Sequence, residues 1–264
     1  MNENERKRMD KHEASGLLPA LRARAKSFCA PLWWEVGGHT VLANGTMCLI
    51  ATPKALFGVT NDHVLKAYET HREQHDDVFC QLGSGPFDPI PNLISRSEYW
   101  DLATFRIPEL TLRHWGGSVF ASDTWPPPAI RTGDTVMLGG FPANRRTTSA
   151  GPRPQNMFSD FVSFLARAEN SSDDHMSFRF DSENWYWPQG LALDRYPDLS
   201  GASGGPCFRL VAENETIELV GFIYEAHPTY EIIRVRQACL IGANGNVEGE
   251  TELLTRCRAR KSRF

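Results

Sequence analysis

Attack on an acyl carbon needs a nucleophile in an exposed, tightly held turn, with backbone N–H groups aimed at the oxygen that becomes negative. One segment of this 264-residue chain has those properties: Gly201-Ala202-Ser203-Gly204-Gly205-Pro206. Glycines on both sides of Ser203 let the main chain approach a substrate closely, and the N–H groups of Gly201 and Ser203 are candidate oxyanion donors. A second segment, Val59-Thr60-Asn61-Asp62-His63-Val64-Leu65, runs an apolar strand into a polar corner that ends in His63. A general base must sit on a rigid element at the edge of a cleft, and a strand end provides one. In the third, Trp100-Asp101-Leu102-Ala103-Thr104-Phe105-Arg106-Ile107, Asp101 opens an apolar strand. A carboxylate there can accept the Nδ1–H of a histidine, fix its tautomer and stabilise the imidazolium. Each segment alone has a plainer reading: a Gly-rich turn, a structural histidine, a turn aspartate. Together, in the order His, Asp, Ser, they are the groups that nucleophilic acyl transfer requires.

The elements expected to position them are mostly strands. Seventeen Pro and twenty-one Gly are scattered along the chain, which suits short strands joined by turns. Residues 1–30 read as a helical extension, with a capping box at Asp10 and Glu13 and an apolar face of Leu17, Leu18, Leu21 and Ala25. Residues 31–124 read as a first β-rich half, with an Asn44-Gly45 turn and a hairpin of 46–51 with 56–60. Trp125-Pro126-Pro127-Pro128 opens a linker over 125–132, because three prolines disfavour a paired central strand. Residues 133–264 read as a second β-rich half, with strands at 135–138, 161–168, 176–180, 207–212, 217–223 and 238–241, and a basic, solvated tail.

Composition excludes several classes. A net charge of −4 gives no basis for nucleic-acid or membrane-surface binding, and no stretch approaches the roughly 18 apolar residues of a membrane span. No apolar h-region follows the N-terminus. The six cysteines, at 29, 48, 80, 207, 239 and 257, form no CxxC pair and read as reduced, mostly buried thiols of a cytoplasmic protein. His71 and His75 stand four apart but lack the Glu of a zincin helix, and Asp173-Asp174-His175 reads as a polar turn, so no metal is expected. Trp185-Tyr186-Trp187 reads as packing. An α/β-hydrolase elbow at Ser203 is disfavoured, because Gly204-Gly205-Pro206 would break the helix that must follow.

The three motifs resemble those of the trypsin-like (chymotrypsin-fold) serine peptidases. They most resemble the bacterial branch of the HtrA/Deg protease domain, in which a Thr-Asn-x-His-Val motif is frequent. Gly133-Asp134-Thr135-Val136-Met137-Leu138-Gly139-Gly140-Phe141-Pro142 is similar to the strand pair opening that branch's second barrel. Leu219 to Ala226 is similar to the strand after the nucleophile. The resemblance covers about residues 40 to 242. It implies an all-β fold of two six-stranded antiparallel β-barrels, a Ser203-His63-Asp101 triad, an oxyanion hole at Gly201 and Ser203, and hydrolysis of a protein or peptide substrate through an acyl-enzyme without a cofactor. It also implies that Tyr224, Glu225 and Ala226 line the substrate strand, where Glu225 or Asp198 would favour a basic P1 residue and Tyr224 would close the pocket.

The chain departs from the pattern at informative places. Ala202 stands where digestive members carry an Asp that pairs with a newly cut N-terminus, so activation by cleavage is not expected. Control would act through loop ordering, by a protein partner or by the N-terminal helix. Val64 stands where a Cys partner for Cys48 would be, so the disulfide near the histidine is absent. Asp62 adds a charge beside His63, with its side chain expected to point away. The other functional class is a protease-fold interaction module, or an effector silent until a partner assembles its site.

Overall fold

Strand-forming sequence dominates, and the computed structural model describes a two-sheet, all-β protein over residues 16–37, 40–148, 156–157, 161–172, 175–179, 198–211, 216–227 and 232–249. The expectations at Asp10 and Glu13, at Asp173 and Asp174, at 185–187 and along the basic tail lie outside those residues.

The first sheet holds β1 (Cys29–Val36), β2 (Thr40–Ala51), β3 (Leu56–Thr60), β4 (Val78–Leu82), β5 (Gly85–Pro86), β6 (Leu93–Ser97), β7 (Leu102–Phe105) and β8 (Phe120–Ala121). Its order is β5-β4-β1-β2-β3-β7-β6, antiparallel throughout, with β8 added parallel to β2. A separate two-stranded ladder pairs β10 (Thr147–Thr148) with β11 (Asn156–Met157). The second sheet runs β12-β9-β15-β16-β17-β14-β13. Its members are β9 (Thr135–Gly140), β12 (Val162–Arg167), β13 (Asn170–Ser171), β14 (His175–Arg179), β15 (Pro206–Val211), β16 (Thr216–His227) and β17 (Ile232–Gln237). Each sheet therefore has six longer strands, as the chymotrypsin-like expectation requires, and the additions are two-residue strands.

Alternation along these strands supplies two interiors. Leu32, Trp34, Met47, Leu49 and Phe105 fill the first, and Val136, Leu138, Phe164, Phe178 and Val235 the second. A third cluster joins the halves: Cys48, Phe57 and Val59 meet Met137, Leu165 and Phe208. Helix α1 (Leu17–Ser27) adds Leu18, Leu21 and Ala25 to that junction, and Arg22 Nε donates to Ser163 Oγ of β12 at 2.7 Å. Pro19 is tolerated because it lies in the first turn, where its missing N–H has no intrahelical partner. The chain after β17 runs along the first sheet. Thr104 Oγ1 donates to Gly245 O at 2.6 Å, Val247 N to Ser95 Oγ at 3.2 Å, and Trp100 Nε1 to Glu248 O at 3.1 Å.

Three local expectations are corrected. Asn44-Gly45 is not a turn: it lies inside β2, where Gly45 faces Leu32 of β1, and a Cβ there would come within 2.7 Å of Val64. The β1–β2 connection falls at 37–39 instead. His63 is not at a strand end, because Asp62–Gln74 is a helix, α2. Val64, Leu65 and Tyr68 are its buried face, an i, i+1, i+4 set that periodicity alone could have revealed. Ala238–Leu240 is a 3-10 turn, while β17, just before it, was not foreseen. Two short helices, α3 (Pro89–Asn92) and α4 (Glu109–Trp115), and a 3-10 turn at Ala143–Arg145 complete the described elements.

Candidate active site

The helix changes how Asp101 holds His63. A helix N-terminus leaves backbone N–H groups without intrahelical acceptors and carries partial positive charge. Asp101 Oδ1 accepts the His63 main-chain N–H at 2.8 Å, while Oδ2 meets His63 Nδ1 at 2.7 Å. One carboxylate thus caps the helix from the turn before β7 and orients the imidazole. The His63 side chain is 48% exposed and that of Asp101 20%, so the base faces solvent and the carboxylate is sheltered behind it.

Asp101 itself has φ of +50°, a left-handed conformation that Asp tolerates better than most residues. Its turn is tied down on three sides. Asp101 N donates to Glu98 O at 3.2 Å, Trp100 N to Ser97 Oγ at 3.2 Å, and Asn61 Nδ2 to Asp101 O at 2.9 Å. Asn61 is fully buried, and its amide holds the Asp101 turn rather than capping its own helix.

Asp62 points away from the imidazole, as expected, but its buried carboxylate is the centre of a partly exposed ion-pair network. Arg96 Nε donates to Asp62 Oδ1 at 2.6 Å, and Arg96 Nη1 reaches both Glu69 oxygens at 2.9 and 3.1 Å. Lys66 lies 3.4 Å from Asp62 and 3.0 Å from Glu98. Arg96 on β6 therefore fastens the first two turns of the helix that carries His63. Arg96→Leu leaves the buried Asp62 carboxylate with Lys66 alone, and a loss of about 3 kcal/mol in urea unfolding is expected. Asp62→Asn in that background should recover part of it; no loss in Arg96→Leu would show the network to be inert.

The Ser203 turn is packed against the same corner from the second sheet. A Cβ on Gly204 (φ +82°) would lie 2.1 Å from Thr46 O and 2.3 Å from Thr60 Oγ1, so only glycine allows this approach to the end of β3. Gly204 N donates to Ile223 O and Ile223 N to Gly205 O, at 2.8 and 2.7 Å, which attaches the turn to β16. Ser200 O accepts from Ala143 N at 2.7 Å, and Ala202 O from Gly205 N at 2.8 Å. In a trans peptide the C=O and N–H point oppositely. Fixing those two carbonyls therefore fixes the N–H groups of Gly201 and Ser203, and neither donates to any described residue. Among the described residues the Ser203 hydroxyl makes no hydrogen bond, to His63 or otherwise. The structure brings His63 and Asp101 into direct contact and sets the Ser203 turn beside them.

On β16 the register slips between Ile223 and Glu225, leaving Tyr224 as the bulged residue. The Arg236 guanidinium stacks over the Tyr224 ring, 4.1 Å from its centroid. Glu225 is committed to the protein: Arg234 Nη1 donates to it at 2.7 Å, and His227 Nε2 contacts its other oxygen. Burial alone would raise the Glu225 pKa, but the bonds from Arg234 and His227 outweigh it and hold the carboxyl below its ordinary value. A lowered folded-state pKa contributes stability that is present above the unfolded value, near 4.3, and is lost as pH falls through the folded one. Glu225→Gln is thus expected to flatten acid-induced loss of melting temperature below about pH 4.5; an unchanged profile would remove Glu225 from that role. Asp198 caps its own turn through Ser200 N at 2.9 Å. His71 Nδ1 accepts the Trp34 indole N–H at 3.0 Å, a packing bond within the first sheet's interior.

Four residues at the site were not singled out by the motifs: Asn44, Thr46, Asn61 and Arg96. Asn61 stands within the His63 segment, where a buried Asn beside a general base was a usable signal. Arg96 carried none, since its partner lies 34 positions away.

No family model matches the chain, and neither does any curated protein. Many solved structures align with it, two serine proteases among them. The Rv3671c protease of M. tuberculosis, in its active form, shares 17% identity over 84% of this chain and 79% of that one, with a TM-score of 0.48. The serine endoprotease of Yersinia pestis shares 15% identity over 90% of this chain, with a TM-score of 0.49; the alignment spans 64% of that longer chain. The architecture itself, two antiparallel sheets of six longer strands joined by a shared apolar cluster, is the all-β chymotrypsin-like one.

Proposed function

We propose that the chain is a serine endopeptidase. Ser203 Oγ attacks the scissile carbonyl as His63 Nε2 takes its proton, and the imidazolium then protonates the leaving amine. Asp101 holds the ring tautomer and balances its charge, and the N–H groups of Gly201 and Ser203 receive the tetrahedral oxyanion. The acyl-enzyme is then hydrolysed by water, with His63 again as the base. The observation that carries this reading is the double engagement of Asp101, which takes both the main-chain N–H and Nδ1 of His63. An aspartate serving structure alone has no need to fix an imidazole whose other nitrogen faces solvent.

The substrate is a protein or peptide that pairs along β16, where the bulge at Tyr224 interrupts the ladder to β17. The ion pairs of Glu225 remove it as a free anion for a basic P1 residue. A cytoplasmic location belongs to the same reading. It is supported by five cysteines, 29, 48, 80, 207 and 239, that are buried and in no disulfide. Among the described residues no helix is long and apolar enough to cross a membrane.

One observation favours a gated form of this activity: Ser203 and His63 are not hydrogen-bonded to each other in the free chain. Substrate, or an activating protein partner, would then close the last contact. A fluorophosphonate probe tests both readings. Labelling of wild type but not of Ser203→Ala supports the enzyme, and labelling only in the presence of cell extract supports the gated form. Absence of labelling under both conditions would leave the protease-fold interaction module.

A further inference from the structure

The loop around Ser203 lacks the acidic neighbour that could pair with a cut N-terminus, since position 202 is a buried Ala. Something else must hold three successive peptides of that turn in register. The structure assigns this role to Thr46: we propose that its side chain is a positioning residue, a fixed clamp from the first half on the oxyanion loop of the second. The inference deepens the proposed peptidase reading and rests on it.

Thr46 is fully buried in β2 and uses every polar atom it has. Its N–H donates to Ser203 O at 2.8 Å, and its carbonyl accepts from Thr60 Oγ1 at 2.8 Å. Its hydroxyl donates to Gly201 O at 2.9 Å and accepts from Phe141 N at 2.9 Å. The second half is thus held at Gly201, Ser203 and Phe141 by one residue of the first. Asn44, two residues earlier on the same strand, donates from Nδ2 to Phe141 O at 2.9 Å, so both polar groups of Phe141 are gripped by β2.

The consequences reach the oxyanion donors by short steps. Phe141 leads into Ala143, whose N–H fixes Ser200 O and hence the Gly201 N–H on the opposite side of that peptide. The next peptide has its carbonyl, Gly201 O, on the Thr46 hydroxyl and its N–H, that of Ala202, on Leu199 O at 2.8 Å. Gly201 has φ of +90°, a conformation a glycine can leave at little cost, so a bond is needed to keep it there. The packing leaves no slack. A Cβ on Gly140 would lie 2.9 Å from Ala202 Cα and 3.1 Å from Thr46 Oγ1. Threonine suits the task because its β-branched side chain is stiff at χ1 and brings one hydroxyl that can donate and accept at once.

The test is the set Thr46→Val, Thr46→Ala and Thr46→Ser, assayed on a peptide substrate well below each variant's melting temperature. Thr46→Val keeps the shape and the main-chain bond to Ser203 and removes only the hydroxyl. A drop of about 10- to 100-fold in kcat is expected with KM within about twofold, since the lost bond orients donors that act on the transition state. The pH profile of kcat/KM should keep its midpoint, because His63 and Asp101 are untouched. Thr46→Ser should restore activity to within about threefold of wild type. If Thr46→Val does not fold, Thr46→Ala makes the same measurement with no added methyl facing the Gly201 carbonyl. Wild-type kcat in a folded hydroxyl-less variant, a loss shared equally with KM, or failure of Thr46→Ser to rescue would overturn the clamp. Failure of the peptidase reading looks different: wild type itself would neither cleave nor take a fluorophosphonate.

Discussion

If the proposed triad is right, Ser203→Ala is expected to lower kcat/KM for peptide cleavage by about 10⁵- to 10⁶-fold, because such a triad acts as a unit and the nucleophile has no substitute. The turn should survive the change. Its holding bonds run from Thr46 N to Ser203 O, Thr46 Oγ1 to Gly201 O, Gly204 N to Ile223 O and Gly205 N to Ala202 O, and none uses the Ser203 hydroxyl. Melting temperature should therefore stay within about 2 °C of wild type, as for substitutions that break no packing or bond. Residual cleavage within tenfold of wild type would mean that a different group attacks. Peptide binding, read by fluorescence anisotropy with the inactive variant, should persist, since the strand β16 and its edge are unaltered.

Asp101→Asn should cost about 10⁴-fold in kcat, for a reason specific to its two contacts. The carboxylate accepts from two donors, the His63 main-chain N–H at 2.8 Å and Nδ1 at 2.7 Å. A carboxamide has one acceptor and one donor end. The main-chain N–H cannot turn, because it is fixed in the first turn of α2, so the amide oxygen must face it and the NH₂ must face the ring. Nδ1 then has to accept, the proton moves to Nε2, and Nε2 can no longer serve as the base that the proposed mechanism needs. The imidazole tautomer can be read directly from ¹⁵N chemical shifts of His63. Retained Nδ1–H with full activity would show that Asp101 does not set the tautomer.

These expectations differ in how far they were legible before the fold. Ser203, with Gly201 and Gly204 around it, is a local matter: nucleophile, donors and the freedom to form the turn all lie within six residues, so the motif carries its own geometry. His63 was legible as a residue but not as a position. The apolar pair Val64-Leu65 after a strand suits continuation of that strand as well as one face of a helix. The choice was made by Asp62 pairing with Arg96 and by Asp101 capping the His63 N–H, contacts 34 and 38 positions distant. Asn44-Gly45 misled for a related reason. The pair favours a tight turn in isolation, but here Gly45 admits Val64 and Asn44 reaches Phe141 across the junction.

The sequence by itself determined the chemistry on offer and the class of fold. It supplied a serine in a Gly-rich turn, a histidine and an aspartate in the order that two β-rich halves can bring together, and alternating apolar strands enough for two interiors. Only the tertiary structure decided what those groups do to one another. It placed the positive end of a helix under Asp101, turned Glu225 toward Arg234 and His227 rather than toward a substrate, and set the buried Thr46 hydroxyl between Gly201 and Phe141. The physical reason is range. Propensity and patterning act over a few residues, whereas hydrogen-bond geometry and charge pairing depend on which distant segments come within about 3 Å of one another, and that is known only once the chain has closed on itself.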